Sequence, residues 1–159
     1  MNMRIEIDAG RELRWFGNTL VSVNLSSSAG ADGIAVIEHW MPFGEAPPLH
    51  VHHREDEIFH ILEGEMRFRV GDNDFVAAAG ETLIARKGIP HAFRVESVAG
   101  ARCLTITRGA DFETMVKAAS RPAATAGLPE SATPTPEMID MLARICAENQ
   151  IDIVGPPLG

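Results

Sequence analysis

Gly44-Glu45-Ala46-Pro47-Pro48-Leu49-His50-Val51-His52-His53-Arg54-Glu55-Asp56-Glu57-Ile58-Phe59-His60-Ile61-Leu62-Glu63-Gly64 is the stretch on which both fold and chemistry turn. On an extended strand, residues i and i+2 project from one face, so the His50 and His52 imidazoles point the same way and can share a cation. Glu57 opens a second extended run through Ile58–Leu62, which can return beside the pair and add a carboxylate. His91 opens a later strand after a Gly-containing turn. Three nitrogens and one oxygen suit a divalent transition metal such as Fe, Mn, Ni, Cu, Co or Zn, and leave positions open for substrate, water or dioxygen. His53, adjacent to His52, faces away from the cation. Glu55 and Asp56 read as rim charges, and His39 and His60 stay unassigned, because a single histidine in a strand is more often structural than ligating.

Outward from this stretch the chain reads as short strands punctuated by Gly, Pro, Asn and Asp. Ile34–Met41 is apolar and partly β-branched and stops at Pro42-Phe43-Gly44. Glu65–Val70 alternates strictly, putting Met66, Phe68 and Val70 on a buried face, and Gly71-Asp72-Asn73-Asp74 then supplies turn residues before Phe75–Ala79, a hairpin. Thr82–Ala85, His91–Val95 and Arg102–Thr107 complete a set suited to an antiparallel sandwich or small barrel. Phe59, Met66, Phe68 and Phe93 are the residues expected to line a substrate pocket inside it.

After Arg108 the pattern becomes helical. Asp111 is placed to cap a short helix with Phe112, Met115, Val116 and Ala119 on one face. Residues 121–136, rich in Pro, Ala and Thr, read as an exposed, flexible connector. Thr135 then caps a second helix with Pro136 at its first position and an apolar stripe of Met138, Met141, Leu142 and Ile145. The expected organisation is thus one barrel over 1–110 and a helical extension over 111–159 that packs on it.

The whole chain, 159 residues, is the size of one domain. Its net charge of −8 repels phosphate backbones and anionic lipid surfaces, and its basic residues are scattered, so neither nucleic acid nor membrane is an expected partner. No apolar run approaches a membrane span and the first residues lack a signal-peptide block, which predicts a cytoplasmic protein. Cys103 and Cys146, far apart, read as reduced, packed thiols.

The spacing Gly44-x5-His50-x-His52-x4-Glu57-x6-Gly64 reproduces the first cupin motif, and Gly80-x5-Arg86-x-Gly88-x2-His91-x3-Val95 resembles the second, which usually carries Pro where Arg86 stands and Asn where Val95 stands. Fifteen residues separate Gly64 from Gly80, as in small single-domain bacterial cupins. Trp15-Phe16-Gly17, Ala46–His50 and Gly155-Pro156-Pro157-Leu158 look like the quercetinase-like members in particular. The resemblance implies an all-β, double-stranded β-helix (jelly-roll) barrel with short C-terminal helices, holding one divalent metal on His50, His52, Glu57 and His91. It also implies a small-molecule substrate and, together with open strand edges and an apolar C-terminal helix, a homodimer.

Three functions fit such a site. The first is an oxygenase acting on a small enolisable or phenolic compound, in which Glu57 is both ligand and the base that takes the substrate proton. The second is a non-redox isomerase, lyase or epimerase of a small hydroxy or keto acid, with the cation as Lewis acid. The third, a non-catalytic binding module, would be signalled by lost ligands, and all four are present.

Overall fold

Alternation of apolar and polar residues along short segments dictates a layered β structure, and the computed structural model, which describes residues 11–159, consists of two antiparallel sheets packed face to face. The part of the expected barrel that falls on residues 1–10 lies outside the described residues. The elements run β1 Leu13–Phe16, β2 Thr19–Leu25, β3 Ile34–Met41, β4 Pro48–His52, β5 Glu57–Glu63, β6 Glu65–Val70, β7 Asn73–Ala78, β8 Thr82–Ala85, β9 His91–Val95, β10 Ala101–Arg108, α1 Asp111–Ala119, β11 Arg121–Pro122, α2 Pro136–Glu148 and β12 Ile151–Pro157. One sheet has the order β11-β1-β2-β3-β10-β5-β8 and the other β12-β4-β9-β6-β7. This is the jelly-roll expected from the sequence, with two short helices near the C-terminus.

From β3 to β6 and again from β7 to β10 the chain alternates between the sheets, so β4 and β5, joined by only four residues, lie on opposite walls. Side chains facing inward from both walls form the core. Met41, Phe59, Ile61, Met66, Phe68, Val95 and Cys103 fill one end, and Phe59, Phe68 and Phe93 meet there with ring centroids 5.1–5.8 Å apart, within the range of favourable edge-to-face packing. The β6 alternation is obeyed: Met66 and Phe68 are fully buried, while Glu65 and Arg69 are exposed. At the other end Val21, Ile37, Phe112, Met115, Val116, Cys146 and Ile151 join the sheet to both helices. Gly64 makes the tight passage from β5 to β6 with φ of +83°, and a Cβ there would stand 2.5 Å from the Gly100 carbonyl oxygen.

The C-terminal region departs from the helical extension read in the sequence. It contributes two strands as well: Arg121–Pro122 pair with β1, and β12 pairs along β4, with Ile151 opposite His52 and Ile153 opposite His50. β12 escaped notice because Pro156 and Pro157 argue against a ladder strand; it is tolerated here at the sheet edge, where missing N–H donors cost nothing. The stretch between β11 and α2 is mostly exposed, as read, yet it is tied to the barrel, since Trp15 Nε1 donates to the Gly127 carbonyl and Asn18 exchanges two hydrogen bonds with Ala132.

Helix starts divide the same way. Thr135 caps α2 as read, accepting the Met138 N–H, with Pro136 at the first position. Asp111 does not cap α1: it is the first helical residue, its side chain pairs with Arg54, and Ala110 at the cap position offers no side-chain bond. The capping role falls to Glu55, whose Oε1 accepts the Phe112 N–H at 2.8 Å. Glu55 is therefore not a rim charge; it is 2% exposed. On α2 the buried face is carried by Cys146 with Leu142 and Ile145 packed beside it, while Met138 and Met141 lie on the exposed side.

Candidate metal centre

Strand geometry brings the four predicted ligands together. His50 and His52 share a face of β4, His91 lies directly opposite His50 on neighbouring β9, and Glu57 faces them from β5 in the other sheet. One ligand atom from each residue lies within 4.8 Å of the others, a spread that a single cation can fill. Imidazole centroids are 4.4 Å apart for His50 and His91, and 5.2 Å for His52 with each of the other two. Glu57 Oε2 is 2.9 Å from His91 Nε2 and 3.1 Å from His52 Nε2. Glu57, His52 and His91 are all buried, and His50 is partly so.

The surroundings orient these nitrogens. His50 Nδ1 is 2.7 Å from the Pro48 carbonyl and His91 Nδ1 is 3.3 Å from that of Ile89. A carbonyl only accepts, so both Nδ1 atoms carry a proton; His50 Nε2 is then free to coordinate, and His91 Nε2, held on Glu57 Oε2 at 2.9 Å, would coordinate where a cation took the place of that contact. His52 gives the sharper sign. Among the described residues neither of its ring nitrogens has a hydrogen-bond partner; Nε2 is near enough to Glu57 for an ion pair but is not aligned for a hydrogen bond. Buried nitrogens left in this state are costly unless something else satisfies them, and a cation held by three imidazoles and one carboxylate does so at Nε2. The residues present therefore fit a divalent transition metal.

The same contacts set the charge of each group. Burial pushes the Glu57 carboxyl up, but the imidazoles of His52 and His91 outweigh it and hold the group well below the usual range, hence ionised. Burial pushes His52 down and Glu57 more than reverses this. Burial, with His91 beside it, brings His50 down to about 4, so this ring is neutral and available as a ligand at neutral pH.

Beside the cluster lies a cavity of about 100 Å³. His50 and Glu57 form one side of it, and Met41, Phe59, Phe93, Phe112, Met115 and Ile153 give it an almost wholly apolar wall. Its remaining polar groups are few: His39, Thr19, Thr105 and Glu45. Of the predicted pocket residues, Phe59 and Phe93 line the cavity, whereas Met66 and Phe68 stand behind them in the core. Two titratable cavity residues are not assigned to the cavity by the sequence. His39 reads there as an isolated histidine; its i+2 partner in β3, Met41, shares its inward face, and that alternation is the available signal. Glu45 carried no such signal, since a loop carboxylate next to Gly44 has no periodicity; in the fold it has no ion-pair partner among the described residues, and burial pushes its carboxyl up.

The other flagged residues lie elsewhere. His53 pairs with Asp152 at the surface, at 2.8 Å, and His60 with Thr82. Asp56 accepts the Lys87 N–H, a rim role as read. Arg86 is exposed and closes the turn before β9 through its carbonyl, which accepts the Ile89 N–H. Val95 is fully buried and exchanges backbone bonds with Gly44 and Glu45, so its apolar side chain suits its place. Cys103 and Cys146 are buried and unpaired with each other.

Residues 37–107, which include the four candidate ligands, match the family described as Cupin domain. Solved structures of similar fold include a predicted oxalate decarboxylase from Thermotoga maritima, 21% identical over 67% of this chain and 98% of that one, with a TM-score of 0.59. KdgF from Halomonas sp. is 11% identical over 66% of this chain and 94% of its own, with a TM-score of 0.57. The polyketide cyclase RemF from Streptomyces resistomycificus is 19% identical over 67% and 80%, with a TM-score of 0.55. At these identities they establish the fold alone. No curated protein matches the chain. No helix among the described residues is long and apolar enough to cross a membrane.

Proposed function

We propose that this protein is a metal-dependent enzyme that takes a small, mostly apolar, enolisable or phenolic compound into the barrel and oxygenates it. The observation carrying the reading is the convergence of His50, His52, Glu57 and His91 at one side of an apolar cavity. A divalent metal there would supply Lewis-acid polarisation of a substrate oxygen and, where redox-active, a place for dioxygen. Glu57 meets both imidazoles through Oε2, which leaves Oε1 to take a proton from the substrate. Phe59, Phe93, Phe112 and Met115 exclude water and hold the apolar body.

The cavity bounds the substrate. At about 100 Å³ it is smaller than the roughly 150 Å³ that accommodates benzene in an engineered apolar cavity, so a tricyclic flavonol would require the α1 and α2 wall to move. The quercetinase-like flanking segments therefore support the chemistry of oxygenation and not a substrate of that size. A second reading, non-redox isomerase or lyase chemistry, is favoured by His39 and Glu45, two proton-handling groups in the cavity beyond the ligands. The exposed Met138, Ile139 and Met141 on α2 support a homodimer.

Elemental analysis of the purified protein, followed by oxygen uptake with small enolisable ketones and phenols, tests the proposal. One transition metal per chain with substrate-dependent oxygen consumption is expected. Metal without oxygen uptake would transfer the case to the isomerase or lyase reading. His52→Ala is expected to lower metal occupancy at least tenfold, and unchanged stoichiometry in that variant would remove the ligand set.

A further inference from the structure

Away from the ligands, the cavity wall contains a buried polar pair. His39 of β3 and Thr105 of β10 both line the cavity, and His39 Nε2 lies 2.9 Å from Thr105 Oγ1. The Thr105 hydroxyl also reaches the Ile37 carbonyl at 3.5 Å. The shorter contact, at 2.9 Å, commits Nε2 to the hydroxyl, which can either donate to it or accept from it. Nδ1, the other ring nitrogen, has no hydrogen-bond partner among the described residues. Burial brings His39 down to about 4, against a smaller opposing pull from Glu57, so the ring is neutral at physiological pH. The ring is 7% exposed, and its remaining surface meets an almost purely apolar space.

Wall filling alone would be served by Leu or Met, whereas His39 holds Nε2 on Thr105 and leaves Nδ1 without a protein partner in a nearly apolar cavity wall. Phe112 sets where this ring lies relative to the metal cluster. Its ring stacks 6.1 Å from His39 and 5.6 Å from His52, so one aromatic side chain touches both the wall histidine and a ligand.

We propose that His39 is a substrate-binding residue whose Nδ1 hydrogen-bonds a hydroxyl of the ligand while a second oxygen of the same molecule lies at the His50–His52–Glu57–His91 cluster. The cavity then selects short hydroxy-carbonyl compounds over their hydrocarbon isosteres. This inference rests on the metal-dependent reading above and names its substrate class.

The test uses the full chain loaded with metal and two probes that differ by OH against CH3, 4-hydroxybutan-2-one and pentan-2-one, with dissociation constants measured by calorimetry or ligand-observed NMR. The wild type is expected to prefer the hydroxy ketone at least tenfold. His39→Phe is expected to reduce the preference to within twofold with bound metal per chain unchanged, and His39→Asn, which keeps an acceptor oxygen, to restore part of it. Thr105→Val provides an independent readout should His39→Phe fold poorly: without its hydroxyl Nε2 is no longer held, and the preference is expected to fall severalfold. No preference in the wild type, or full preference retained in the folded variants, overturns the role of His39 and leaves the metal site standing. Failure of the wild type to hold metal overturns the proposed function, and the probe preference measured on that same protein still decides for or against His39.

Discussion

Removing the carboxylate of Glu55 probes whether a buried loop residue holds the cavity wall in place. Glu55 lies in the β4–β5 loop, and its Oε1 accepts the Phe112 N–H at 2.8 Å, at the positive end of α1. In Glu55→Ala the helix loses the side chain that caps it, which costs about 0.5–2 kcal/mol, and the Phe112 N–H is left buried without a partner, at about 1–3 kcal/mol. The two overlap, because the same bond is counted in both. One effect opposes them: Glu55 Oε2 has no hydrogen-bond partner, so deletion relieves a desolvated oxygen. The net loss is therefore placed at about 2 kcal/mol, which lowers Tm by about 4–8 °C in a domain of this length. Glu55→Gln keeps an acceptor for Phe112 and should lose about 1 kcal/mol or less. Differential scanning calorimetry at pH 7.5 measures both. Because Phe112 and Met115 of α1 line the cavity, Glu55→Ala should also bind any cavity ligand more weakly while holding metal normally. An unchanged or raised Tm in Glu55→Ala, or equal losses for Ala and Gln, would refute the capping argument.

Three further outcomes follow from the same structure. Burial pushes Glu113 up, but its contacts with Lys117, Ser26 and Ser27 win and bring it down to about 2. Its stabilisation is thus fully present above the unfolded value near 4.5 and is lost as pH falls toward 2; allowing for the half-exposed Lys117, about 1–2 kcal/mol of acid sensitivity should vanish in Glu113→Gln, read from urea melts at pH 3 and 7. Gly64→Ala forces a Cβ to 2.5 Å from the Gly100 carbonyl oxygen and 3.0 Å from Ala101 Cα, at a positive φ, and should destabilise by more than about 2 kcal/mol, measured by chemical denaturation. Stripping metal with a chelator should lower Tm, by about 2.7 kcal/mol equivalent where free metal stood at a hundred times its dissociation constant, and the His52→Ala variant should show no such shift in a parallel scan.

Much of this protein is readable in one dimension because strands write their faces with period two. The boundaries of Ile34–Met41, Glu65–Val70, Thr82–Ala85 and His91–Val95 follow from alternation and punctuation, and the same rule puts His50 and His52 on one face. Their meeting with Glu57 and His91 rested on the resemblance of two spaced motifs, since no local rule says which strands pair across a sandwich. What only the tertiary structure decided are interactions between residues distant in sequence. Glu55 became a helix cap for Phe112, 57 residues on, a role invisible to any search for a cap within the helix's own first turn. Ile151–Pro157 became a strand because the exposed edge of β4 was there to pair with, despite two prolines. His39 became a cavity residue because β3 and β10 pair so as to place Thr105 against its Nε2. Periodicity records which way a side chain faces relative to its own backbone; what it faces depends on loop closures and sheet pairings, which a linear pattern does not encode.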